Sequence, residues 1–382
     1  MTEEIKEPYK VMVVDDSLVI RGIVNRMIQT DSQIQVVKSV GNGQLAVTEA
    51  VKDPSIEVVV LDIEMPVMDG LTALPKILEA NPSIQVIMSS TLTLKNAEVS
   101  LKALSLGACD YVTKPSSTST LSGDETYKND LIEKIKVFGE RARSRGGIRK
   151  KPVSPASPAP SSFKPEQKEM KVTTTVRKSL YSTDFTLVKP NFKMVPEVIA
   201  IGSSTGGPPA LFKIFEELKT SIKQPILITQ HMPATFTKIL AEHISRISGK
   251  VAVEGEDGMV IENNKIYIAP GGFHMIVDKK GASKVIKITS APAENFCRPA
   301  VDPMFRSIAE HYGTKALAIV LTGMGYDGSK GSKVILEAGG NVIAQDEASS
   351  IVWGMPGATA QLGVCCAVLP LDEIASYIKK VS

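Results

Sequence analysis

A serine, a histidine and an aspartate each follow a short apolar segment, and their residue types are those of nucleophilic catalysis. Ser204 is the centre of GSSTG after VIAI, which matches G-x-S-x-G, a pattern that holds a serine hydroxyl on a sharp strand-to-helix turn. His231 follows PILITQ, and Asp327 lies in TGMGYDG after ALAIVL. A serine hydroxyl needs a base at neutral pH, and a histidine base works best when an acid fixes its tautomer. The three residues therefore predict a Ser-His-Asp triad.

The glycine-rich turn leaves some alternatives open. G-x-S-x-G centres on Ser204, but spacing alone does not exclude the adjacent Ser203. A glycine-rich turn before a helix can also bind phosphate. The G-x-G-x-x-G spacing and the Walker lysine are both missing from this turn, which disfavours nucleotide binding. The order serine, histidine, aspartate also differs from that of the α/β-hydrolases, so that fold is not predicted.

The remaining histidines have less favourable positions than His231. His243 and His311 lie on predicted helices, where we expect ordinary helix-face residues. His274 lies in the loop GGFHM, from which it can approach the serine. The glycines at 323, 325 and 328 around Asp327 allow tight turns and can expose N–H groups as oxyanion donors.

Three carboxylates and a lysine at the ends of other apolar segments form a second candidate site. Asp15 and Asp16 follow KVMVV, Asp62 ends EVVVLD, and Lys114 ends YVTK just before a proline. Clustered carboxylates repel one another, and a hard divalent cation, most naturally Mg²⁺, is the ligand that such oxygens prefer. A carboxylate beside this cation can accept a phosphoryl group while the metal and the lysine neutralise the transferred oxygens. Ser89, at the end of IQVIMS, is placed to donate a hydrogen bond to that group.

Both candidate sites need strand ends that lie close together. Parallel sheets provide this, because parallel strands joined by right-handed crossovers share their carboxyl edge. Apolar strands alternate with amphipathic helices from residue 9 to about residue 139 and again from 194 to 382. We therefore predict an α/β protein with two doubly wound parallel-sheet domains, the first flavodoxin-like and the second Rossmann-like. Turn signals within residues 249–289 predict a hairpin-rich insertion. The predicted boundaries are 9–130, then 131–193 for a closing helix and a Pro/Ser-rich basic linker, and 194–382.

Composition limits the remaining function classes. The net charge of +3 is concentrated between residues 141 and 178, where eleven Lys or Arg residues accompany two Glu in a linker-like segment. Neither globular part has the basic face of a nucleic-acid-binding domain. No apolar segment suits a membrane span or a signal peptide, so we expect a soluble cytoplasmic protein without membrane insertion. We interpret the four cysteines, which show no metal-binding spacing and no nearby histidine, as reduced and mostly buried thiols: Cys109, Cys297, Cys365 and Cys366.

Residues 9–130 resemble the receiver domains of two-component response regulators, through the segments VVDDS, LDIEMPVMDG and YVTKP. The resemblance implies that Asp62 is the phosphoacceptor and that a histidine kinase is the phosphodonor. It also implies that Mg²⁺ is bound by Asp15, Asp16, Asp62 and the backbone carbonyl of Glu64. The other implied roles are Ser89 as the switch hydroxyl, Tyr111 as the switch aromatic and Lys114 as the phosphate-facing lysine.

The second domain resembles the chemotaxis protein-glutamate methylesterases, through IGSSTGG, ITQHMP, RPAVDPMF, LTGMGYDG and WGMPGAT in the same order. This resemblance implies Ser204 as nucleophile, His231 as base and Asp327 as its orienting acid. The backbone of Met324, and Thr205 beside the serine, are then expected near the oxyanion. The chain departs from the family pattern at two positions near the triad: Ser203 stands where alanine is usual, and Tyr326 where asparagine is common.

Together the two resemblances imply a phosphorylation-regulated enzyme of chemotaxis adaptation. It would hydrolyse glutamate methyl esters, and deamidate glutamines, on chemoreceptors without a cofactor for the esterase reaction, and we expect a monomer. Two rival functions stay open at this point. One is a non-catalytic adaptor that binds receptors or a kinase, and the other is a serine-dependent amidase that acts on non-receptor proteins.

Overall fold

Two parallel β-sheets organise the chain. The structure is a computed structural model that describes residues 7–91, 93–115, 125–146, 185–191 and 195–382. Most of the predicted segment 131–193, namely residues 147–184 and 192–193, lies outside the described residues, as does residue 194. The division into two doubly wound α/β domains is confirmed, because each sheet contains only parallel pairs and is built from strands of one half of the chain.

The first sheet has five strands in the order β2-β1-β3-β4-β5, the flavodoxin-like arrangement that was predicted. Its strands are β1 (Tyr9–Val14), β2 (Ile34–Val40), β3 (Val58–Asp62), β4 (Gln85–Thr91) and β5 (Asp110–Lys114). The helices of this domain are α1 (Leu18–Ile28), α2 (Gly43–Lys52), α3 (Gly70–Ala80), α4 (Leu94–Ser105) and α5 (Glu125–Gly146). Helix α5, the predicted closing helix, packs against β1, β3, β4 and β5.

Both faces of the first sheet are apolar, which is why its strands read as continuous apolar runs. Met12 and Val14 belong to one buried cluster, while the alternating residues Val11 and Val13 belong to the buried cluster on the opposite face. Helix α1 is capped by Ser17, whose hydroxyl accepts a hydrogen bond from the backbone of Ile20. Both faces of the sheet are therefore covered by buried apolar side chains.

The second sheet has seven strands in the order β14-β13-β12-β6-β7-β9-β8. Its strands are β6 (Val198–Ser203), β7 (Ile226–Gln230), β8 (Val251–Glu254), β9 (Lys265–Ile268), β12 (Ala316–Val320), β13 (Asn341–Gln345) and β14 (Ala367–Leu369). The helices are α6 (Gly207–Leu218), α7 (Ala234–Ser248), α8 (Val301–Tyr312), α9 (Ser329–Glu337), α10 (Met355–Gln361) and α11 (Leu371–Val381), with a 3₁₀ turn at Gly313–Lys315.

The insertion at residues 249–289 is less rich in hairpins than predicted. Strands β8 and β9 extend the main sheet in parallel, and only β10 (His274–Lys280) and β11 (Ser283–Thr289) form an antiparallel hairpin. The reason lies in Ile266, Tyr267 and Ile268, which are completely buried. Such a run is typical of a strand covered on both faces, whereas β10 becomes exposed toward its end.

The two domains share a buried apolar contact. Helix α4 of the first domain contacts α6 and α7 of the second, and one apolar cluster is continuous across this boundary. At its edge the ring of Tyr111 stacks on the ring of Phe236, with centroids 4.4 Å apart and planes within 5° of parallel. Within the described ranges, no helix is long and apolar enough to cross a bilayer.

Candidate active site

Three adjacent strands of the second sheet bring the predicted catalytic residues together. Strand β6 lies between β12 and β7, and Ser204, His231 and Asp327 follow these strands at their carboxyl ends. All three line one cavity of about 420 Å³. A sheet edge at which the strand order reverses is where doubly wound folds bind ligands. The cavity is therefore the candidate active site.

Asp327 is a buried carboxylate that receives five polar contacts. Its Oδ2 atom lies 2.8 Å from His231 Nε2. The other contacts are backbone donors at Val301, Asp302 and Gly328 and the side-chain amide of Asn295. Burial alone would raise the pKa of Asp327, but the His231 contact and these hydrogen bonds outweigh burial and lower it. The group is therefore ionised at neutral pH.

His231 is held through both ring nitrogens. Nε2 faces Asp327, and Nδ1 lies 3.4 Å from the sulfur of Cys297. Burial opposes the charged imidazolium, yet the contacts with Asp327 and Cys297 outweigh burial and raise the pKa of His231 above its ordinary value. Because the carboxylate occupies Nε2, Nδ1 is the nitrogen left to exchange a proton with a nucleophile.

The two adjacent serines have different surroundings. Ser203 is completely buried, and its hydroxyl donates to Gln230 Oε1 at 2.6 Å. The same glutamine donates from Nε2 to the backbone oxygens of Ser204 and His231, at 3.0 and 3.2 Å. Ser204 is partly exposed and lines the cavity. These positions favour Ser204 as the nucleophile. The Ser203 hydroxyl instead links the end of β6 to the end of β7 through Gln230.

No hydrogen bond links Ser204 Oγ to His231 in the described part of the chain. Catalytic hydrogen bonds are often long in ligand-free structures and tighten when substrate binds. Nδ1 of His231 instead contacts Cys297. The structure thus places the serine and the histidine in one cavity and joins only the histidine and the aspartate directly.

Two backbone N–H groups near the serine have no acceptor in the described part of the chain. Thr205 and Met324 line the cavity, and their N–H groups donate to no other described residue. Gly206 adopts a φ of 74°, and a side chain there would lie 2.6 Å from Ile351. Gly323 is equally restricted, because an added Cβ would lie 2.9 Å from Ser204 Cβ. Glycine is therefore needed at 206 for its backbone conformation and at 323 for lack of space beside Ser204.

A tight turn that sequence reasoning missed contacts both the acid and the base. Glu294 and Cys297 exchange backbone hydrogen bonds of 2.9 and 3.1 Å, and the two residues between them have positive φ values of 52° and 63°. Asn295 Nδ2 donates to Asp327 at 2.8 Å and to Asp302 at 3.0 Å, which separates two buried carboxylates. The interpretation of the cysteines as having no histidine partner was wrong for Cys297, because the partner lies 66 residues away in sequence.

The other histidines are accounted for by packing and backbone contacts. His274 is buried, with Nε2 3.0 Å from the Pro292 carbonyl and Nδ1 accepting from the Ala300 backbone. It therefore holds the loop that carries the tight turn and does not line the cavity. His243 lies on α7 with its ring 4.2 Å from the Phe212 ring, and His311 lies on α8.

The second candidate site lies at the carboxyl edge of the first sheet. Lys114 Nζ lies 2.6 Å from Asp15 Oδ2 and 2.7 Å from Asp62 Oδ1. Asp15, Asp16 and Asp62 each offer a carboxylate oxygen within 4.8 Å of the others. Burial raises the pKa of Asp62 to about 6 despite the lowering effect of Lys114. One ammonium does not balance three carboxylates, so this donor set fits a hard divalent cation.

The remaining residues predicted for this site lie around it. Ser89 is buried at the end of β4 and is the parallel partner of Asp62 in the strand register. Glu64 follows β3, and its side chain pairs with Lys95 at 2.9 Å, which leaves only its backbone as a ligand candidate. Tyr111 lies on β5 with its ring directed to the second domain, where it stacks on Phe236.

Comparison with known proteins places both domains in described families. Residues 199–378 match the model of the CheB methylesterase family, and residues 11–123 match that of the response regulator receiver domain. The chain is 53% identical over 375 residues to a protein-glutamate methylesterase/protein-glutamine glutaminase of Azospirillum brasilense, which covers 98% of this chain and 93% of that protein. The chain belongs to the protein-glutamate methylesterase/protein-glutamine glutaminase family.

The chain is also similar to a second relative and to one crystal structure. A protein-glutamate methylesterase/protein-glutamine glutaminase 1 of Paramagnetospirillum magneticum is 52% identical over 376 residues, covering 98% of this chain and 96% of that protein. The crystal structure of the Thermotoga maritima CheB methylesterase catalytic domain is 36% identical with a TM-score of 0.48, covering 50% of this chain and 100% of that one.

In this methylesterase family member, the receiver domain forms one wall of the catalytic cavity. The receiver residues on that wall are Asp110, Tyr111, Thr113, Asp130, Glu133 and Lys134. Lys134 donates to the Tyr111 carbonyl at 2.7 Å and pairs with Asp110 and Asp130 at 3.4 and 3.1 Å. This network fixes the backbone of Tyr111, the predicted switch aromatic, at the domain boundary. The phosphorylation edge and the catalytic edge are therefore linked through β5.

Proposed function

We propose that this chain is a phosphorylation-regulated protein-glutamate methylesterase and protein-glutamine glutaminase that acts on chemoreceptors in chemotaxis adaptation. The observation that carries the proposal is the convergence of Ser204, His231 and Asp327 at three neighbouring strand ends in one cavity. The family relationship supports the substrate class, because the relatives named for this activity match nearly the whole chain. The cavity brings a hydroxyl, an imidazole and a carboxylate together, which an adaptor surface does not require.

In the proposed mechanism Ser204 Oγ attacks the carbonyl carbon of a glutamyl methyl ester. His231 Nδ1 takes the serine proton, and the oxyanion of the tetrahedral intermediate accepts hydrogen bonds from the N–H groups of Thr205 and Met324. The intermediate collapses with loss of methanol, which receives its proton from His231. Water then attacks the acyl-enzyme with His231 as base, which releases the glutamate and restores the serine. A glutamine side chain follows the same steps with ammonia as the leaving group.

Asp327 has two functions in this mechanism. Its contact with Nε2 keeps the proton on that nitrogen, so Nδ1 presents a lone pair to the serine. Its charge then stabilises the imidazolium that forms during the attack, in agreement with the raised pKa of His231. The backbone donors at Val301, Asp302 and Gly328 fix the carboxylate, so that its orientation does not depend on the substrate.

Regulation is proposed to begin at Asp62, which accepts a phosphoryl group from a histidine kinase. Asp15, Asp16, Asp62 and the backbone carbonyl of Glu64 would hold Mg²⁺, which supplies neutralising charge for the transferred oxygens. Lys114 is already within ion-pair distance of Asp62 and offers a second positive charge to the phosphoryl group. Ser89, the neighbour of Asp62 across the strand pair, offers a hydroxyl donor.

Phosphorylation is expected to act on the receiver residues that line the catalytic cavity. We expect the unphosphorylated receiver to restrict access to Ser204, because Tyr111 and Lys134 line the same cavity. A change at Asp62 that moves Tyr111 breaks the ring stack with Phe236. The receiver then has less apolar contact with the catalytic domain, and a receptor segment gains access to the serine.

Asp62→Asn should leave the unstimulated esterase activity in place and remove its stimulation by a small phosphodonor such as acetyl phosphate. The amide cannot form an acyl phosphate, while the catalytic residues lie in the other domain. Methanol release from methylated receptor membranes, measured with and without phosphodonor and Mg²⁺, checks this. An equal response of the wild type and the variant would refute Asp62 as the phosphoacceptor.

Tyr111→Ala should raise the unstimulated activity several-fold, because it removes the ring that stacks on Phe236. An aromatic pair contributes about 0.5–1.5 kcal/mol beyond its buried area, which corresponds to a shift of roughly twofold to thirteenfold in the equilibrium between closed and open arrangements. Tyr111→Phe is the matched control, since it keeps the ring and removes only the hydroxyl. Activation of both variants alike would show that the stack does not hold the domains closed.

The direct test of the proposed function is hydrolysis of methylated chemoreceptors in membranes, with methanol measured as product. The glutaminase activity is measured as ammonia release from receptors that carry glutamine at the same positions. Turnover of both substrates supports the proposal. Receptor binding without turnover in the presence of phosphodonor would indicate the adaptor, and turnover only of non-receptor proteins would indicate the amidase.

A further inference from the structure

Cys297 occupies a position that the esterase mechanism does not use. It lies at the end of the tight turn 294–297, is half-buried and lines the catalytic cavity. Its sulfur lies 3.4 Å from His231 Nδ1, and the opposite nitrogen of the same ring faces Asp327. The cavity thus holds an imidazole that contacts a thiol through one ring nitrogen and a carboxylate through the other.

The other cysteines have surroundings of a different kind. Cys109 is buried and donates to the side-chain oxygen of Gln85. Cys365 is completely buried, and burial raises its pKa to about 12. Cys366 is half-buried beside the Tyr377 hydroxyl, and burial also raises its pKa. All four cysteines are free of disulfides, and the contact with a histidine that the described residues show is made by Cys297.

A thiol within reach of an imidazole that is itself oriented by a carboxylate is the arrangement that activates sulfur nucleophiles. The imidazole takes the thiol proton, and the resulting thiolate is the reactive species. The carboxylate of Asp327 is already ionised and bonded, so it supports the imidazolium that this transfer produces. The geometry around Cys297 therefore meets the conditions for a reactive thiol.

We propose that Cys297 is a modification site at which peroxides and alkylating electrophiles switch the esterase off. The inference rests on the proposed function for its effect on activity, while the reactivity of the thiol stands on the contact with His231 alone. The ligand class is a small electrophile that fits the cavity of about 420 Å³. An adduct on the sulfur lies beside Nδ1, the nitrogen that must accept the Ser204 proton, so it blocks the base.

With hydrogen peroxide the step is a two-electron oxidation of the sulfur. The thiol proton passes to His231 Nδ1, and the thiolate attacks one peroxide oxygen, forming the S–O bond as the O–O bond breaks. The leaving hydroxide takes the proton from His231 and becomes water. Cys297 is left as a sulfenic acid, and an added dithiol reduces it back to the thiol with release of water.

The first experiment measures alkylation by iodoacetamide at each cysteine of the full-length protein, with peptide mass spectrometry at a series of times. Cys297 should react about tenfold faster than Cys366, which is also half-buried but has no histidine partner. His231→Gln should reduce the Cys297 rate to that of Cys366, because the base is gone. Cys109 and Cys365 serve as an internal folding control, since they react only if a variant has lost its packing.

The second experiment follows esterase activity under hydrogen peroxide and its recovery with dithiothreitol. The wild type should lose activity as Cys297 is modified and regain it on reduction. Cys297→Ala should keep the activity that it has before treatment, and Cys366→Ser should respond like the wild type. Equal alkylation rates at Cys297 and Cys366, or equal inactivation of the wild type and Cys297→Ala, would overturn the proposal. Fast labelling of Cys297 in a protein without esterase activity would instead reject only the proposed function.

Discussion

Ser204→Ala is expected to lower methyl ester hydrolysis by about 10⁴-fold or more, because removal of a triad nucleophile leaves only the oxyanion donors and binding to act. Ser203→Ala is the matched control, one residue away in the same turn. Its hydroxyl bonds Gln230 and does not line the cavity, so the variant should keep most of its activity. Loss of that buried hydrogen bond should cost about 1 kcal/mol of unfolding free energy.

The two serine variants are compared by methanol release and by thermal unfolding. Low activity with wild-type stability in Ser204→Ala, and normal activity with lowered stability in Ser203→Ala, separate chemistry from packing. The reverse pattern of activity would transfer the role of nucleophile to Ser203. Both outcomes are decisive, because the two substitutions remove the same atom from neighbouring positions.

Asp327→Asn is expected to lower kcat by about 10⁴-fold with little change in KM, the effect of losing the tautomer control of a triad histidine. An amide nitrogen at this position would face backbone N–H groups, since both carboxylate oxygens accept from such groups, or would donate to His231 Nε2 and favour the wrong tautomer. The substitution should therefore also lower the unfolding free energy by about 1–3 kcal/mol. The pH dependence of kcat should change as well, because the raised pKa of His231 depends on this carboxylate.

Asp302→Asn is the control that separates the two effects. Asp302 is a buried carboxylate nearby that accepts from Gly331 and Asn295 but has no contact with His231. This variant should lose a similar amount of stability and far less of its kcat. Equal losses of kcat in both variants would mean that Asp327 acts through packing and not through the imidazole.

The strand ends of both sheets were predictable because apolar runs of this kind form buried parallel strands. Ser204, His231 and Asp327 follow three such runs, and topology alone brings their carboxyl ends to one edge. The same reasoning located Asp15, Asp62 and Lys114, whose side chains do meet. Where a residue directly follows a strand, its sequence position therefore determines its place in the site.

Residues on turns and at domain boundaries could not be placed in this way. Asn295 and Cys297 lie on a tight turn without periodicity, and nothing local in the sequence shows that the turn folds over Asp327 and His231. The stack between Tyr111 and Phe236 joins positions from different domains, so it depends on packing that neither segment specifies. The edge strands β8 and β9 were assigned to hairpins because turn signals do not reveal which strand is the partner.

Covalent labelling of the full-length protein by a fluorophosphonate tests the central claim most directly, since this probe phosphonylates activated serines with loss of fluoride. Peptide mass spectrometry should locate the adduct on Ser204, and acetyl phosphate with Mg²⁺ should increase the labelling rate in the wild type and not in Asp62→Asn. No adduct on Ser204 in the presence of phosphodonor, or an adduct on another serine, would contradict a phosphorylation-gated esterase centred on this residue.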